Sequence, residues 1–304
     1  MARNTPEGAG GNLSFAHFNT RSLLSKFGDF VEFVASGEFD VIGLSETWLQ
    51  GGILDDCLEI ENYKLVRSDR DGRGGGVAFY VKSNLKYKIV TVQLGVSALE
   101  QVWISLKISG KTFCFGSLYR PPNANLKSCL DDLENSIVNF LPIYDYLLFG
   151  GDLNVDMSNS ARNGYALVNN FIKDLTQLVQ SNTRITEHTS TLLDILVTSC
   201  CSLSVDTGVI GMDNISDHSL VYTQLKINKP SKQIVYRTYR DYKNFNFDFF
   251  VNDLLNVNWS FICELQNVDE MVEYFNRNLL SIFDVHAPLK IVAFYNTACA
   301  VVNG

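Results

Sequence analysis

The chain has 304 residues, 46% of them hydrophobic and 19% charged, with a net charge of −8. That length suits one large α/β domain, or a domain of roughly 200–250 residues with an appendage. The acidity argues against a broadly basic nucleic-acid binder, which needs wide positive surface to displace counterions, and leaves open a nuclease that grips a few phosphates and adds a divalent metal.

No apolar run approaches the roughly 20 residues that span a bilayer, and the amino terminus lacks a signal-peptide core. An intracellular protein without membrane contact is expected. The seven cysteines (Cys57, Cys114, Cys129, Cys200, Cys201, Cys263, Cys299) form no C-x-x-C pair, so they read as reduced thiols.

In chain order, residues 1–11 read as disordered. Leu13–Phe18 reads as a strand and Leu23–Ala35 as a helix, with Leu24, Phe27, Phe30, Val31 and Val34 at helical spacing. Val41–Leu44 is a strand running into Ser45-Glu46-Thr47-Trp48. Strands follow at Gly76–Val81, Leu85–Val92, Val102–Ile108 and Thr112–Leu118, several alternating polar and apolar residues and joined tightly enough for hairpins. A helix at Leu126–Phe140 leads into a buried strand, Tyr146–Phe149, and a second helix covers Tyr165–Leu178. Strands Leu192–Val197, Leu203–Val209 and Ser219–Ile227 complete the pattern.

Strands that arrive partly through hairpins and partly through helices imply an α+β fold, a four-layer α/β sandwich of two stacked, mainly antiparallel sheets flanked by helices. Residues 228–235 read as a linker, 236–292 as an aromatic and then helical appendage, and 293–304 show no pattern.

Polar residues recur where apolar strands end: Asn19, Glu46, Tyr119 with Arg120, Asp152 and Asn154, and Ser216-Asp217-His218. The run Asp145-Tyr-Leu-Leu-Phe-Gly-Gly-Asp-Leu-Asn154 is the most informative. Two glycines allow a sharp turn and close approach, and Asp152 and Asn154, two residues apart, face one spot. Asp194 lies inside an apolar strand, where a charge needs a partner. Each residue alone has a plain reading. Asn19 could cap the next helix, with Thr20 or Ser22 as rivals; Glu46 could be a surface carboxylate, Tyr119 a half-buried ring, Asp217 a turn cap and Asp194 a structural acid. The joint set changes the balance, because it holds a His able to pair with a buried Asp.

In this order these residues resemble the endonuclease/exonuclease/phosphatase superfamily. The likeness is to apurinic/apyrimidinic-type endonuclease domains of non-LTR, jockey-like retrotransposons, and it spans residues 12–227. Asn19-Thr-Arg-Ser-Leu23, the Arg67–Val77 stretch with its four glycines and Thr183-Arg184-Ile-Thr186 point to that branch. Residues 236–292 resemble the connector toward a reverse transcriptase, which does not follow; the divergence after Lys290 implies a truncated or frame-shifted copy.

The resemblance implies metal-assisted phosphodiester hydrolysis of double-stranded DNA, with no nucleotide cofactor, and a nuclear location. Mg2+, or Mn2+ in its place, would be held by Glu46 with Asn19 close by and Asp217 contributing. Asp152 would orient or deprotonate the attacking water, Asn154 would hold it, and His218, oriented by Asp194, would donate to a phosphate oxygen, assisted by Tyr119. Arg67, Arg70 and Arg73 are candidates for DNA-backbone contact, with Arg120 and Arg184 as weaker ones; the alternative for the first three is a solvated basic turn. Phe245, Phe247, Phe249 and Phe250 could stack on bases, or cover the sandwich or an absent polymerase. His17, His188 and His286 read as structural. Competing functions are a superfamily phosphatase, an abasic-site repair endonuclease, and a non-catalytic remnant or nucleic-acid-binding module. Oligomeric state is not legible.

Overall fold

The computed structural model describes residues 12–35, 38–92, 97–161, 164–228 and 234–295. The chain divides into two compact units, meeting in sequence between residues 231 and 232. The first unit begins β1 (Leu13–Asn19), α1 (Phe27–Ala35), β2 (Val41–Ser45), β3 (Tyr63–Ser68), β4 (Val77–Lys82) and β5 (Tyr87–Val90). It continues β6 (Glu100–Ile108), β7 (Lys111–Tyr119), α2 (Leu126–Phe140), β8 (Tyr146–Asp152) and α3 (Tyr165–Phe171). Two-residue strands β9 (Thr176–Gln177), β10 (Arg184–Ile185) and β11 (Ser190–Thr191) precede β12 (Asp194–Thr198), β13 (Ser204–Ile210) and β14 (Leu220–Leu225).

Two six-stranded sheets result, ordered β13-β14-β1-β2-β4-β3 and β5-β6-β7-β8-β12-β9. Both are mixed: β1 runs parallel to β2 and β7 parallel to β8, and the other pairs are antiparallel. The alternation of side chains along a strand sorts residues between layers. Leu13 and Phe15 enter the core between the sheets with Phe79, Phe113, Phe115, Leu148 and Leu196. Ala16 and Phe18 face outward, onto Phe30 and Val34 of α1. On the other sheet Trp103, Leu147 and Phe149 pack beneath Leu133, Ile137 and Phe140 of α2. The order helix, sheet, sheet, helix is the expected α+β sandwich.

The inner layer narrows around His17, which has the same parity as Phe15 and no exposed surface. A Cβ on Gly150 would lie 2.4 Å from the His17 Cβ, and one on Gly43 would lie 3.2 Å from its ring and from Ser117. One glycine from each sheet thus makes the slot that this ring fills, in keeping with its structural reading.

Several boundaries differ from the sequence pattern. Tyr63–Ser68 is a strand that the pattern missed, because its burial is broken rather than alternating. The second helix ends at Phe171 and not Leu178: Thr176 and Gln177 instead pair with Thr198 and Val197 at the edge of the sheet. A short 3-10 turn, Leu24–Lys26, precedes α1.

The second unit is an antiparallel pair, β15 (Ile234–Arg240) with β16 (Leu289–Tyr295), together with α4 (Phe247–Leu255) and α5 (Val268–His286). The start of β15 corrects the linker reading at residues 234–235, and β16 corrects the patternless reading at 293–295. The rest of those two segments, and residues 1–11, lie outside the described residues. Phe250 packs on Phe283 at 4.8 Å and Phe245 on Phe250 at 5.2 Å, ring centre to ring centre, so these two rings build the unit's own core. Phe247 and Phe249 are exposed. His286 has an acidic partner, Asp253 Oδ2 at 2.8 Å, which sequence spacing did not suggest. Among the described residues no helix is long and apolar enough to cross a membrane.

Candidate active site

The inner-face parity that carries Phe15, Phe115, Leu148 and Leu196 into the core continues to the strand ends, where it delivers polar groups. Asn19 lies in register with Ser45 on β2, Tyr119 with Asp152, and Asp152 with Asp194. Parallel pairing of β1 with β2, and of β7 with β8, puts their carboxyl ends together. The antiparallel β12 begins at that same end, so Asp194 joins them.

Asn19 is the hub of one wall. Its Nδ2 donates to Glu46 Oε1 at 3.0 Å and to Asp152 Oδ2 at 2.8 Å, while its Oδ1 accepts the Arg21 N–H at 3.1 Å. The helix-cap reading of Asn19 is therefore excluded; the following turn has no side-chain cap. Glu46 is held on its other oxygen by Trp48 Nε1 at 3.1 Å. Both Glu46 and Trp48 have left-handed backbones, φ 49° and 54°, an arrangement retained where a site over-determines it. Tyr119, 5% exposed, is raised above the usual phenol range by burial and then by Glu46 and Asp152, so it stays a neutral donor. The Arg70 guanidinium lies 5.7 Å from its ring centre.

Asp152 is 1% exposed. Its Oδ1 accepts the Asn154 main-chain N–H at 2.7 Å. Asn154, with φ 51°, turns its side-chain amide to the Arg120 carbonyl at 2.9 Å, so it fixes Asp152 through the backbone rather than reaching over it. Burial raises the Asp152 pKa, and the nearby Asp194 charge raises it further; His218, the Asn154 N–H and the Asn19 amide work the other way. A carboxyl moved toward neutrality is suited to exchange a proton with water.

The opposite wall is His218 and Asp194. His218 Nδ1 lies 2.8 Å from Asp194 Oδ2, which also accepts from Thr183 Oγ1 at 2.7 Å. Thr183 in turn takes the main-chain N–H groups of Leu193 and Asp194, clamping the acid from behind. Burial would lower the His218 pKa, but the Asp194 charge and hydrogen bond, with Asp152 behind them, outweigh it and raise the ring to about 9. His218 Nε2 stands 4.0 Å from Asp152 Oδ2, a gap rather than a bond.

Asp152, Asp194 and His218 are close enough for their ligand atoms to share one ion. Asp194 Oδ2 and His218 Nδ1 are already committed to each other, however. On the other wall the carboxylates of Glu46 and Asp152 offer hard oxygens of the kind a Mg2+ ion takes, while Asn19, whose Nδ2 faces both and whose Oδ1 is bound to the Arg21 N–H, positions them and is not itself a ligand. Asp217 Oδ2 accepts from Arg21 Nη1 and from Arg184 Nε, both at 2.9 Å, and among the described residues its buried Oδ1 has no partner.

The arginine candidates separate clearly. Arg120 is 6% exposed, and its guanidinium donates to the carbonyls of Leu153, Asn154, Pro121, Pro122 and Ala124. It pins two loops through all three of its nitrogens, a structural role in place of the expected DNA contact. Arg67 is bound to the Ile53 carbonyl, Asp55 and Asp69. Arg70 is paired with Glu100, which also accepts the Gly76 N–H. Arg73 is exposed. Sequence alone gives Glu100 no role and marks Arg21 and Thr183 only as members of the Asn19–Leu23 and Thr183–Thr186 motifs, without the contacts they make here.

The endonuclease/exonuclease/phosphatase family matches residues 16–218. No protein among the curated sequences matches the chain. The endonuclease domain of TRAS1, a telomere-specific non-LTR retrotransposon, superposes with TM-score 0.57 at 16% identity, covering 71% of this chain and 100% of that one. The 3'-5' exonuclease NExo of Neisseria meningitidis gives 0.57 at 14% identity, covering 70% and 99%. An AP endonuclease of Archaeoglobus fulgidus gives 0.52 at 15%, covering 71% and 100%. At these identities the likeness is one of fold, and with the family match covering residues 16–218 the chain belongs to the endonuclease/exonuclease/phosphatase family.

Proposed function

We propose that the chain is a divalent-metal-dependent endonuclease that nicks double-stranded DNA, of the kind non-LTR retrotransposons carry. The observation that carries this reading is the division of the site into two walls. Asn19 ties Glu46 to Asp152 on one side, the Asp194–His218 pair stands on the other, and a 4.0 Å gap separates Asp152 from His218. A phosphodiester entering between them meets an acceptor for a water proton and a charged donor for a phosphate oxygen. The TRAS1 domain, an endonuclease of a non-LTR retrotransposon, supports the choice of DNA.

A bound Mg2+ would stabilise charge on the phosphate and leaving oxygen. The chain's own groups supply the rest. Asp152, held by Asn19 and the Asn154 N–H, orients the attacking water and takes its proton. His218, kept protonated and aimed by Asp194, donates to a non-bridging oxygen, and the neutral Tyr119 hydroxyl adds a second donor. Glu46, steadied by Asn19 and Trp48, would hold the cation.

The test is nicking of supercoiled plasmid by the purified chain, with Mg2+ and with EDTA. Asp152→Ala, Glu46→Ala and His218→Ala should each lower the rate by about 10²–10³. Parallel duplexes with and without an abasic site separate this reading from a repair enzyme, and a folded, metal-supplied protein that nicks neither would be a remnant.

A further inference from the structure

We infer that Arg21 and Arg184, gathered on Asp217, form a clamp for a backbone phosphate of the DNA strand being cut; this rests on the endonuclease reading. Two cations share a single carboxylate oxygen: Arg21 Nη1 and Arg184 Nε both lie 2.9 Å from Asp217 Oδ2. One carboxylate neutralises one guanidinium, so the cluster keeps a net positive charge in a chain whose own balance is −8. An isolated surface ion pair would leave no such surplus.

Position gives the surplus a use. Arg21 follows Asn19 by two residues, and its main-chain N–H is bound by the same Asn19 that ties Glu46 to Asp152. Its charge acts on Glu46 and Tyr119, so it stands on the cation-holding wall. The left-handed backbone at Arg21 and Ser22, φ 42° and 88°, is fixed by hydrogen bonds from Ser22 and Leu23 to the Glu46 and Thr47 carbonyls. Arg184 comes from the other wall, where it forms a β-bridge with His218 and the neighbouring Thr183 braces Asp194. The clamp therefore joins the two walls at the rim of the gap.

Exposure fits as well. The side chains of Arg21 and Arg184 are 47% and 34% exposed, so part of each lies within reach of a ligand. A guanidinium is the group best matched to paired phosphate oxygens. Asp217 then acts as the anchor that orders two flexible side chains before DNA arrives, which lowers the entropy lost on binding. It is a positioning residue here, and a place for it among the metal ligands is not needed.

The experiment uses the full chain and a fluorescent intact duplex, titrated in EDTA across a range of salt so that no cleavage occurs. Arg21→Ala and Arg184→Ala should each weaken binding about ten-fold. Each should also flatten the dependence of log K on log salt by about 0.9, the signature of one lost phosphate contact. Arg21→Lys should restore the slope, and Arg21→Gln keeps a polar stem should the alanine variant fail to fold. In Mg2+ nicking assays KM should rise with kcat within about three-fold. Asp217→Asn should leave the Mg2+ concentration for half-maximal rate unchanged. Wild-type affinity and slope in Arg21→Ala, or a raised Mg2+ requirement in Asp217→Asn, would overturn the clamp. A wild-type chain that binds duplex with the expected slopes yet never nicks would overturn the endonuclease reading and leave the clamp standing.

Discussion

Replacing Asp194 by Asn keeps the shape of the His218 partner and removes its charge. In the wild type, burial pulls the His218 pKa down, yet Asp194 at 2.8 Å and Asp152 beyond it lift it from 6.5 to about 9. That displacement corresponds to roughly 3 kcal/mol of preference for the charged ring. Without the Asp194 charge, burial is opposed only by Asp152 and Asp217, and the pKa should fall to the ordinary value or below. The ring would then be largely neutral at pH 7.5, and nicking should drop about 10²-fold, recovering in part toward pH 6. Because the folded pKa lies above the unfolded one, the stabilisation is fully present below pH 6.5 and is lost as pH rises through 9. The stability difference between wild type and Asp194→Asn should thus be largest near pH 6 and shrink toward pH 9.5. The direct assay is an NMR titration of the His218 ring, alongside urea unfolding at both pH values. A ring that still titrates above pH 8 in the variant would mean that the Asp194 charge does not hold its proton.

Three further expectations concern the packing that holds the site. His17 is fully buried, neither ring nitrogen has a hydrogen-bond partner, and burial lowers its pKa to about 4. The unfolded chain binds a proton there first, so stability should fall by roughly 3 kcal/mol as pH drops from 6.5 to 4; His17→Leu should abolish most of that slope in urea unfolding. Gly150→Ala sets a Cβ 2.4 Å from the His17 Cβ and should cost about 1–3 kcal/mol, with His17→Gly, which removes that Cβ, relieving much of it in a double-mutant cycle. Arg120→Ala strips donors from five loop carbonyls and should cost about 2–4 kcal/mol in thermal unfolding, while the salt slope of DNA binding stays at its wild-type value.

The sequence carried the site further than it carried its supports. Glu46, Tyr119 and Asp152 were visible because each breaks an apolar strand at its end, and strand parity alone turns such residues toward one layer. The partner of Asp194 was inferable as well, since a buried acid demands one. The bracing residues gave no such sign. Thr183 reaches Asp194 across eleven residues of chain, and Arg120 meets, besides the loop that follows it, the Leu153 and Asn154 carbonyls that only the assembled fold brings near it. The same basic side chain predicts a phosphate contact from sequence and becomes a structural pin once buried. Thr176 and Gln177 read as the end of a helix because local spacing cannot see the β12 edge that claims them. Strand β15 was hidden for a related reason: its partner, β16, lies beyond two helices.

The most direct measurement is nicking of supercoiled plasmid in Mg2+ by the wild-type chain and by Asp152→Ala at equal folded concentration. Nicked circles are expected from the wild type, none in EDTA, and a rate lower by about 10²–10³ in the variant. Equal nicking by the two proteins would contradict it.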